Sequence, residues 1–331
     1  MLNVGPPEEH AAVAEVSRSS GSGQSMRAAV VEEAGAAPAV RTRPVPTPGP
    51  DEVLVEVSAA GLNPHDLVVA AGIRQAPPVP YVPGVEGVGR LADGTRVYFS
   101  PAPLPNGSMA EYTAVPVGVT IPVPDKLADA DAIGLGTAGT TAWLSLTWKG
   151  GLKPGESVLV MGATGAVGQV AVQAAKLLGA RRVTAAGRDR KTLDTLLGRG
   201  ADEIVVLDDG YEQRLLAAAA GGFDLVIDSL FAAPLEAALR ATSYGGRLVN
   251  LGMRAGRTME LSGLAVKGRD LLSYSGDLPS PAVRREAYER MAAHVLAGAL
   301  VIESETVPLE DVAAAWQRQA ASPNTKLVIV L

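Results

Sequence analysis

Residues 158–180 read VLVMGATGAVGQVAVQAAKLLGA, and this stretch decides the fold. Its first four residues are a continuous apolar run, as expected of a parallel strand buried on both faces. Gly162, Gly165 and Gly168 follow at a spacing of three. The segment from Ala166 then carries Val167, Val170, Ala171, Ala174, Leu177 and Leu178 at helical spacing, which predicts a buried stripe on a helix. In a strand–turn–helix, such glycines permit the tight turn, let backbone approach a pyrophosphate, and let the helix pack close to the strand. The amides of Ala166 and Val167 at the helix N-terminus would face the phosphate with the positive end of the dipole. Three glycines alone would also suit a turn that binds nothing; the flanking strand and helix are what give the pattern meaning. No Gly-Lys-Ser/Thr follows, which excludes a nucleoside-triphosphate loop.

Downstream the alternation continues. RVTAAG (182–187), EIVVLD (203–208), DLVIDSL (224–230), GRLVNLG (246–252) and LLSYSG (271–276) read as strands. Helical patterns start near Lys191, Glu212 and Pro234. Repeated units of this kind predict an α/β fold, a doubly wound parallel sheet. The end of the second strand reads Gly187-Arg188-Asp189-Arg190-Lys191. A site for NAD needs a carboxylate there to take both ribose hydroxyls. Arg188, the first side chain past the strand, and Lys191 one turn later suit a 2′-phosphate instead. Asp189 would serve a 2′-hydroxyl if the strand ended one residue later, and solvated charges at a helix start are the plain alternative. The reading favours NADP(H).

Upstream, 26–126 has an all-β texture, with strands expected at 27–31, 52–59, 87–91, 96–99 and 110–115, separated by Gly, Pro and Asp clusters. Helical spacing appears over 127–148. Beyond the parallel-sheet region, a helix is expected at 281–296 and strands at 301–307 and 326–331. Residues 1–25 read as a flexible tail ending in a Ser/Gly linker. Residues 11–16 allow a short helix, but the expectation is disorder. The tail has neither the basic start nor the apolar run of a secretory signal.

Composition narrows the chemistry. Among 331 residues, 29 Lys and Arg against 35 Asp and Glu leave a net charge of −6, which argues against a nucleic-acid partner. There is no cysteine, so disulfides, thiol nucleophiles, thiolate zinc sites and iron–sulfur clusters are excluded. Three histidines, at 10, 65 and 294, are too scattered for a histidine metal site, so no metal is expected. No apolar run reaches the roughly 18 residues of a membrane helix. A cytoplasmic protein is expected.

Seven motifs in order carry a resemblance: GLNPHD (61–66), PYVPGVEGVG (80–89), GSMAEY (107–112), TAGTTAW (137–143), GATGAVG (162–168), AAGRD (185–189) and GRLVNLG (246–252). Over 26–331 the chain resembles the medium-chain dehydrogenase/reductase superfamily, in its zinc-free quinone oxidoreductase-like branch. The resemblance implies a GroES-like substrate domain (26–126), interrupted by a Rossmann NADP-binding domain (127–272) and completed by 273–331, with the active site in the cleft between them. Zinc-dependent members have a catalytic Cys and a Gly-His-Glu where this chain has Asn63 and Gly84-Val85-Glu86. Without a Lewis acid, simple alcohol oxidation is disfavoured. The implied activity is zinc-independent hydride transfer from NADPH to a quinone or to the β-carbon of an α,β-unsaturated carbonyl. The alternatives are an NADPH-binding sensor or accessory protein without turnover, and a tailoring enzyme performing non-redox cyclisation on the same fold.

By position, Asn63 matches the asparagine lining the nicotinamide pocket, where its amide would donate to developing enolate charge; a turn-former before Pro64 is its bland alternative. Thr137 and Thr141 match a helix contacting the cofactor. Gly252 and Met253 end the strand expected beside the nicotinamide. Many relatives carry a tyrosine acid where this chain has Val68. That leaves His65 as the nearest titratable group, with water ahead of it as proton source, and Tyr112 as a packing residue. Relatives commonly dimerise through Rossmann edge strands, here expected near 271–276.

Overall fold

The computed structural model describes residues 23–74 and 77–331. Residues 1–22, which include nearly all of the expected tail and the short helix considered at 11–16, lie outside the described residues. Ser25 already belongs to the first strand.

The chain divides into two compact units, one running to Gly136 and resumed by Ser304–Leu331, the other Thr137–Glu303. These divisions fall later than the boundaries expected at 127 and 273, and side chains explain both. Arg96 donates to Leu127 O at 2.6 Å and pairs with Asp129, tying that segment to the β-rich unit. At the other crossing, Gln173 clamps Val301 from both sides, donating to its carbonyl at 3.0 Å and accepting from its amide at 2.9 Å. Arg199 pairs with Glu303.

In the β-rich unit, β1 (Ser25–Val30) and β2 (Ala39–Pro44) form an antiparallel pair. The main sheet holds β3 (Glu52–Leu62), β4 (Gly87–Arg90), β5 (Arg96–Phe99), β6 (Tyr112–Pro116), β7 (Thr120–Pro122), β14 (Ser304–Pro308) and β15 (Lys326–Val330). Its order is β14-β15-β3-β4-β5-β7, with β6 on β3. The eleven-residue β3 serves two strands in succession: Glu52–Glu56 pair with β6, and Ala59–Leu62 with β15. One core packs Met26, Leu62, Met109, Trp316 and Ile329. Tyr112 lies half-buried against it, in keeping with its expected packing role. The all-β expectation missed the helix Pro64–Ala70 as well as β2 and β7. That helix opens with Pro64 at its first position, and the Asp66 carboxylate accepts from the Asn63 amide at 2.8 Å. Such local capping starts a helix without any long apolar period.

The other unit carries β8 (Ser157–Met161), β9 (Arg182–Gly187), β10 (Glu203–Val206), β11 (Phe223–Asp228), β12 (Thr242–Asn250) and β13 (Asp270–Ser273). All are parallel, in the order β10-β9-β8-β11-β12-β13. The chain winds outward from β8 and then returns to its other side with β11. The switch point therefore lies at the carboxyl ends of β8 and β11, where ligands of such sheets bind. The helix Ala166–Leu177 covers β8, but its buried face differs from the predicted stripe. Leu177 is exposed, whereas Gln169, Val172, Gln173 and Ala175 are buried. Gln169 is admitted because its side chain donates to Thr164 O at 2.8 Å, and Gln173 because it holds Val301. The edge strand β13 is shorter than 271–276: Tyr274 leaves it and is buried, its ring 6.3 Å from Trp148.

Candidate cofactor and buried polar sites

The turn after β8 is built as a cradle. Gly162 has φ +79, in the left-handed region, and its amide and that of Ala163 both donate to Ala186 O at 2.9 and 2.8 Å. This joins the turn to the neighbouring strand end. A Cβ on Gly168 would drive into Gly162 O and come within 2.6 Å of Ala163 Cα, so the helix sits on the turn at a distance only glycine allows. A Cβ on Gly187 would meet the Thr164 side chain. Gly165 is the N-cap of the following twelve-residue helix and offers no side-chain acceptor to its first amides, near Ala166 and Val167. By contrast, Asp189 and Ser280 cap their own helices with side-chain oxygens. An uncapped N-terminus above a glycine turn fits a phosphate.

The strand end beside it is unambiguous. β9 stops at Gly187, Arg188 is exposed, and Asp189 starts the helix Arg190–Leu197. The Asp189 carboxylate accepts from the Thr192 amide at 2.7 Å, and hydrogen bonds from the Thr192 hydroxyl and then from that amide hold its pKa below the usual range. It is committed as a helix cap. Lys191 is exposed one turn on. At the ends of β11 and β12, Asp228 is fully buried and bonded to Asn250 at 2.7 Å, with Gly252 half-buried and Met253 exposed just beyond. Thr137 and Thr141 are half-buried in the segment that begins this unit.

The β-rich unit holds the residues expected to do chemistry, and its hydrogen bonds show how they are held. Asn63 is 4% exposed. Its Nδ2 donates to Gly61 O at 3.2 Å and Glu86 Oε1 at 2.9 Å, and its Oδ1 accepts from Lys326 Nζ at 2.6 Å. Both amide hydrogens are spent on protein, leaving none for an enolate. Lys326 also reaches Glu86 Oε1 at 2.6 Å, while Tyr98 donates its hydroxyl to Glu86 Oε2 at 2.8 Å. Glu86 is therefore the centre of a buried network. Asp66 joins its edge: burial pushes its carboxyl up to about 7, Glu86 adds to this, and the Asn63 and Gly84 amides and Lys326 oppose it. His65 is half-buried with Nδ1 3.4 Å from Arg74 Nη1, and Val68 is half-buried on the same short helix.

Sequence reasoning missed Lys326, Tyr98 and Asp66. Lys326 carried a signal, since a lysine opening the apolar run KLVIV is out of place unless it has a buried partner. Among the described residues, no helix is long and apolar enough to cross a membrane.

Two family models match: "Zinc-binding dehydrogenase" over residues 166–293 and "Alcohol dehydrogenase GroES-like domain" over 49–125. A phenolphthiocerol/phthiocerol polyketide synthase polypeptide of Mycobacterium tuberculosis is 32% identical over 307 residues, 86% of this chain and 14% of that protein. The chain thus spans about one seventh of that relative's length. YhfP of Bacillus subtilis is 30% identical over 279 residues, covering 79% of this chain and 84% of its own. Among solved structures, the quinone oxidoreductase of Thermus thermophilus, determined also with NADPH, superposes with a TM-score of 0.81 at 30% identity, over 92% of this chain and 100% of that one. A GroES-like β-rich unit, a six-stranded Rossmann sheet and these matches have one reading: the chain belongs to the medium-chain dehydrogenase/reductase superfamily, in its quinone oxidoreductase-like branch.

Proposed function

We propose that this oxidoreductase uses NADPH, without zinc, to reduce a quinone or the alkene of an α,β-unsaturated carbonyl, and that it works as a homodimer. The observation that carries the cofactor reading is the end of β9. The strand stops at Gly187, the Asp189 carboxylate is engaged as a helix cap, and Arg188 and Lys191 stand exposed to pair with a 2′-phosphate. NADPH supplies a hydride when bound. The chain's part begins with the Gly162–Gly168 cradle, whose amides hold the pyrophosphate, and Gly252 and Met253 bound the nicotinamide end. Thr137 and Thr141 are the cofactor contacts contributed by the segment opening the unit.

Asn63 serves this reading as a positioning residue that keeps Lys326 and Glu86 paired, and not as the donor to the enolate. With Val68 unable to give a proton, water is the proton source, and His65 has only a secondary claim. That same absence favours a second reading, a protein that binds NADPH without turning over. The deciding experiment follows loss of nicotinamide absorbance with a panel of quinones and enones, before and after a strong chelator. Turnover that survives chelation supports the first reading. A nucleotide-dependent rise in melting temperature with no turnover across the panel moves the assignment to the second.

A further inference from the structure

The loop that follows β11 takes a path its residues disfavour. Phe231 has φ +62 and ψ −167, and Ala232 has φ +52. The first of these lies in a region that glycine alone adopts without strain, and such strain persists only where the surroundings over-determine it. Those surroundings are visible. Asp228, fully buried, accepts the Leu230 amide on Oδ1 at 3.1 Å and the Phe231 amide on Oδ2 at 3.0 Å. Asn250, directly opposite it on β12, donates Nδ2 to the same Oδ2 at 2.7 Å and to Gly252 O at 2.8 Å. The amides of Arg254 and Ala255 reach back to Ser229 O and Leu230 O at 3.3 and 2.8 Å.

The strained loop also lies against the glycine cradle. A Cβ on Gly162 would be 3.3 Å from both the Ser229 and the Leu230 side chains, and one on Gly252 would be 3.1 Å from Ser229 O. The segment thus forms the wall opposite the phosphate turn, at the switch point of the sheet.

We infer that Asp228 and Asn250 are positioning residues for the dinucleotide: together they hold the Ser229–Leu230 segment in a strained shape that faces the cofactor. This rests on the NADPH-binding reading above. The buried carboxylate sets the two loop amides, and the Asn250 amide sets the carboxylate and links it to the next loop. Without that link, Phe231 relaxes to negative φ and carries the segment away. A glycine at 231 adopts the native angle with no strain and no longer needs the link.

The test is NADPH affinity of the full chain, measured by fluorescence titration. Asn250→Ala should weaken NADPH about tenfold, the scale set by release of backbone strain. The double variant Asn250→Ala/Phe231→Gly should recover most of that loss, which a merely structural defect at 250 would not allow. Phe231→Gly should also melt above Phe231→Ala, the reverse of the usual order for these two residues. If the alanine variant at 250 does not fold, Asn250→Leu, of similar volume but without the N–H, carries the same expectation. Wild-type affinity in the 250 variant, or a double variant as weak as the single, overturns the inference. A wild-type protein that binds no nicotinamide nucleotide overturns the site reading and this inference with it.

Discussion

Lys326 Nζ lies 2.6 Å from Glu86 Oε1 in a site where the two side chains are 3% and 0% exposed. An ion pair so buried forfeits the hydration of both charges, and its attraction offsets this only with every remaining polar atom engaged. Here Asn63, Tyr98 and Leu62 O complete the set. Lys326→Met should therefore destabilise the protein by about 3–5 kcal/mol, because it strands an unpaired carboxylate. Lys326→Met/Glu86→Gln, which removes both charges, should recover part of that loss. Denaturant unfolding checks it; a single variant within about 1 kcal/mol of wild type would show the pair to be dispensable.

Asp66 makes stability depend on pH in a definite direction. Its folded value, about 7, is raised above the ordinary 3.8 by burial. Folding therefore favours the neutral acid. The contribution is fully present below about pH 4 and is lost as pH rises through 7, with a limit on the order of 4 kcal/mol. Asp66→Asn keeps an oxygen for the Asn63 amide and cannot ionise. The variant should gain on wild type progressively between about pH 4 and 7, the window of the shift, and hold that gain above it. Parallel stability curves for the two proteins would contradict the assignment.

Arg188 is expected to set cofactor choice. A charge-assisted contact to the 2′-phosphate contributes roughly 1.5–3 kcal/mol, about ten- to a hundredfold in affinity. NADPH should bind tighter than NADH by that factor, and Arg188→Ala should erase most of the difference. Equal affinities in the native protein would return the question to the capping Asp189.

The proposed dimer would pair through the sheet edge. Among the described residues β13 pairs with β12 alone, and near it Tyr244, Leu264 and Leu271 are 77%, 80% and 42% exposed. An apolar edge of this kind is usually covered. Light scattering at micromolar concentration should give the mass of two chains, and Leu264→Glu should shift it toward one. A monomeric native mass would sink the proposal.

The parallel sheet and the glycine turn were legible because each is a local or periodic pattern, whereas the two-part β-rich unit was expected only because the family resemblance implied it. An apolar run is a buried strand, Gly162-x-x-Gly165-x-x-Gly168 is a close approach, and the helix expected at 281–296 is observed as Pro281–Leu296. The place of Arg188 just past β9 was readable too, since a strand end lies within a few residues of its signal. What the sequence left open at Asp189 is a local matter: its carboxylate caps the helix it opens, through the Thr192 amide.

Asn63 shows the other limit. Its residue type and place suggested a donor for substrate, but its hydrogens are taken by Glu86, distant in sequence by 23 residues, and by Gly61, while Lys326, 263 residues away, takes its oxygen. Hydrogen-bond partners of a buried amide are set by which strands lie side by side. No spacing rule along the chain reports that β15 brings Lys326 beside the end of β3. The same holds for Phe231, whose left-handed backbone is imposed by a carboxylate on β11 and an amide on β12, and is invisible in the residues that adopt it.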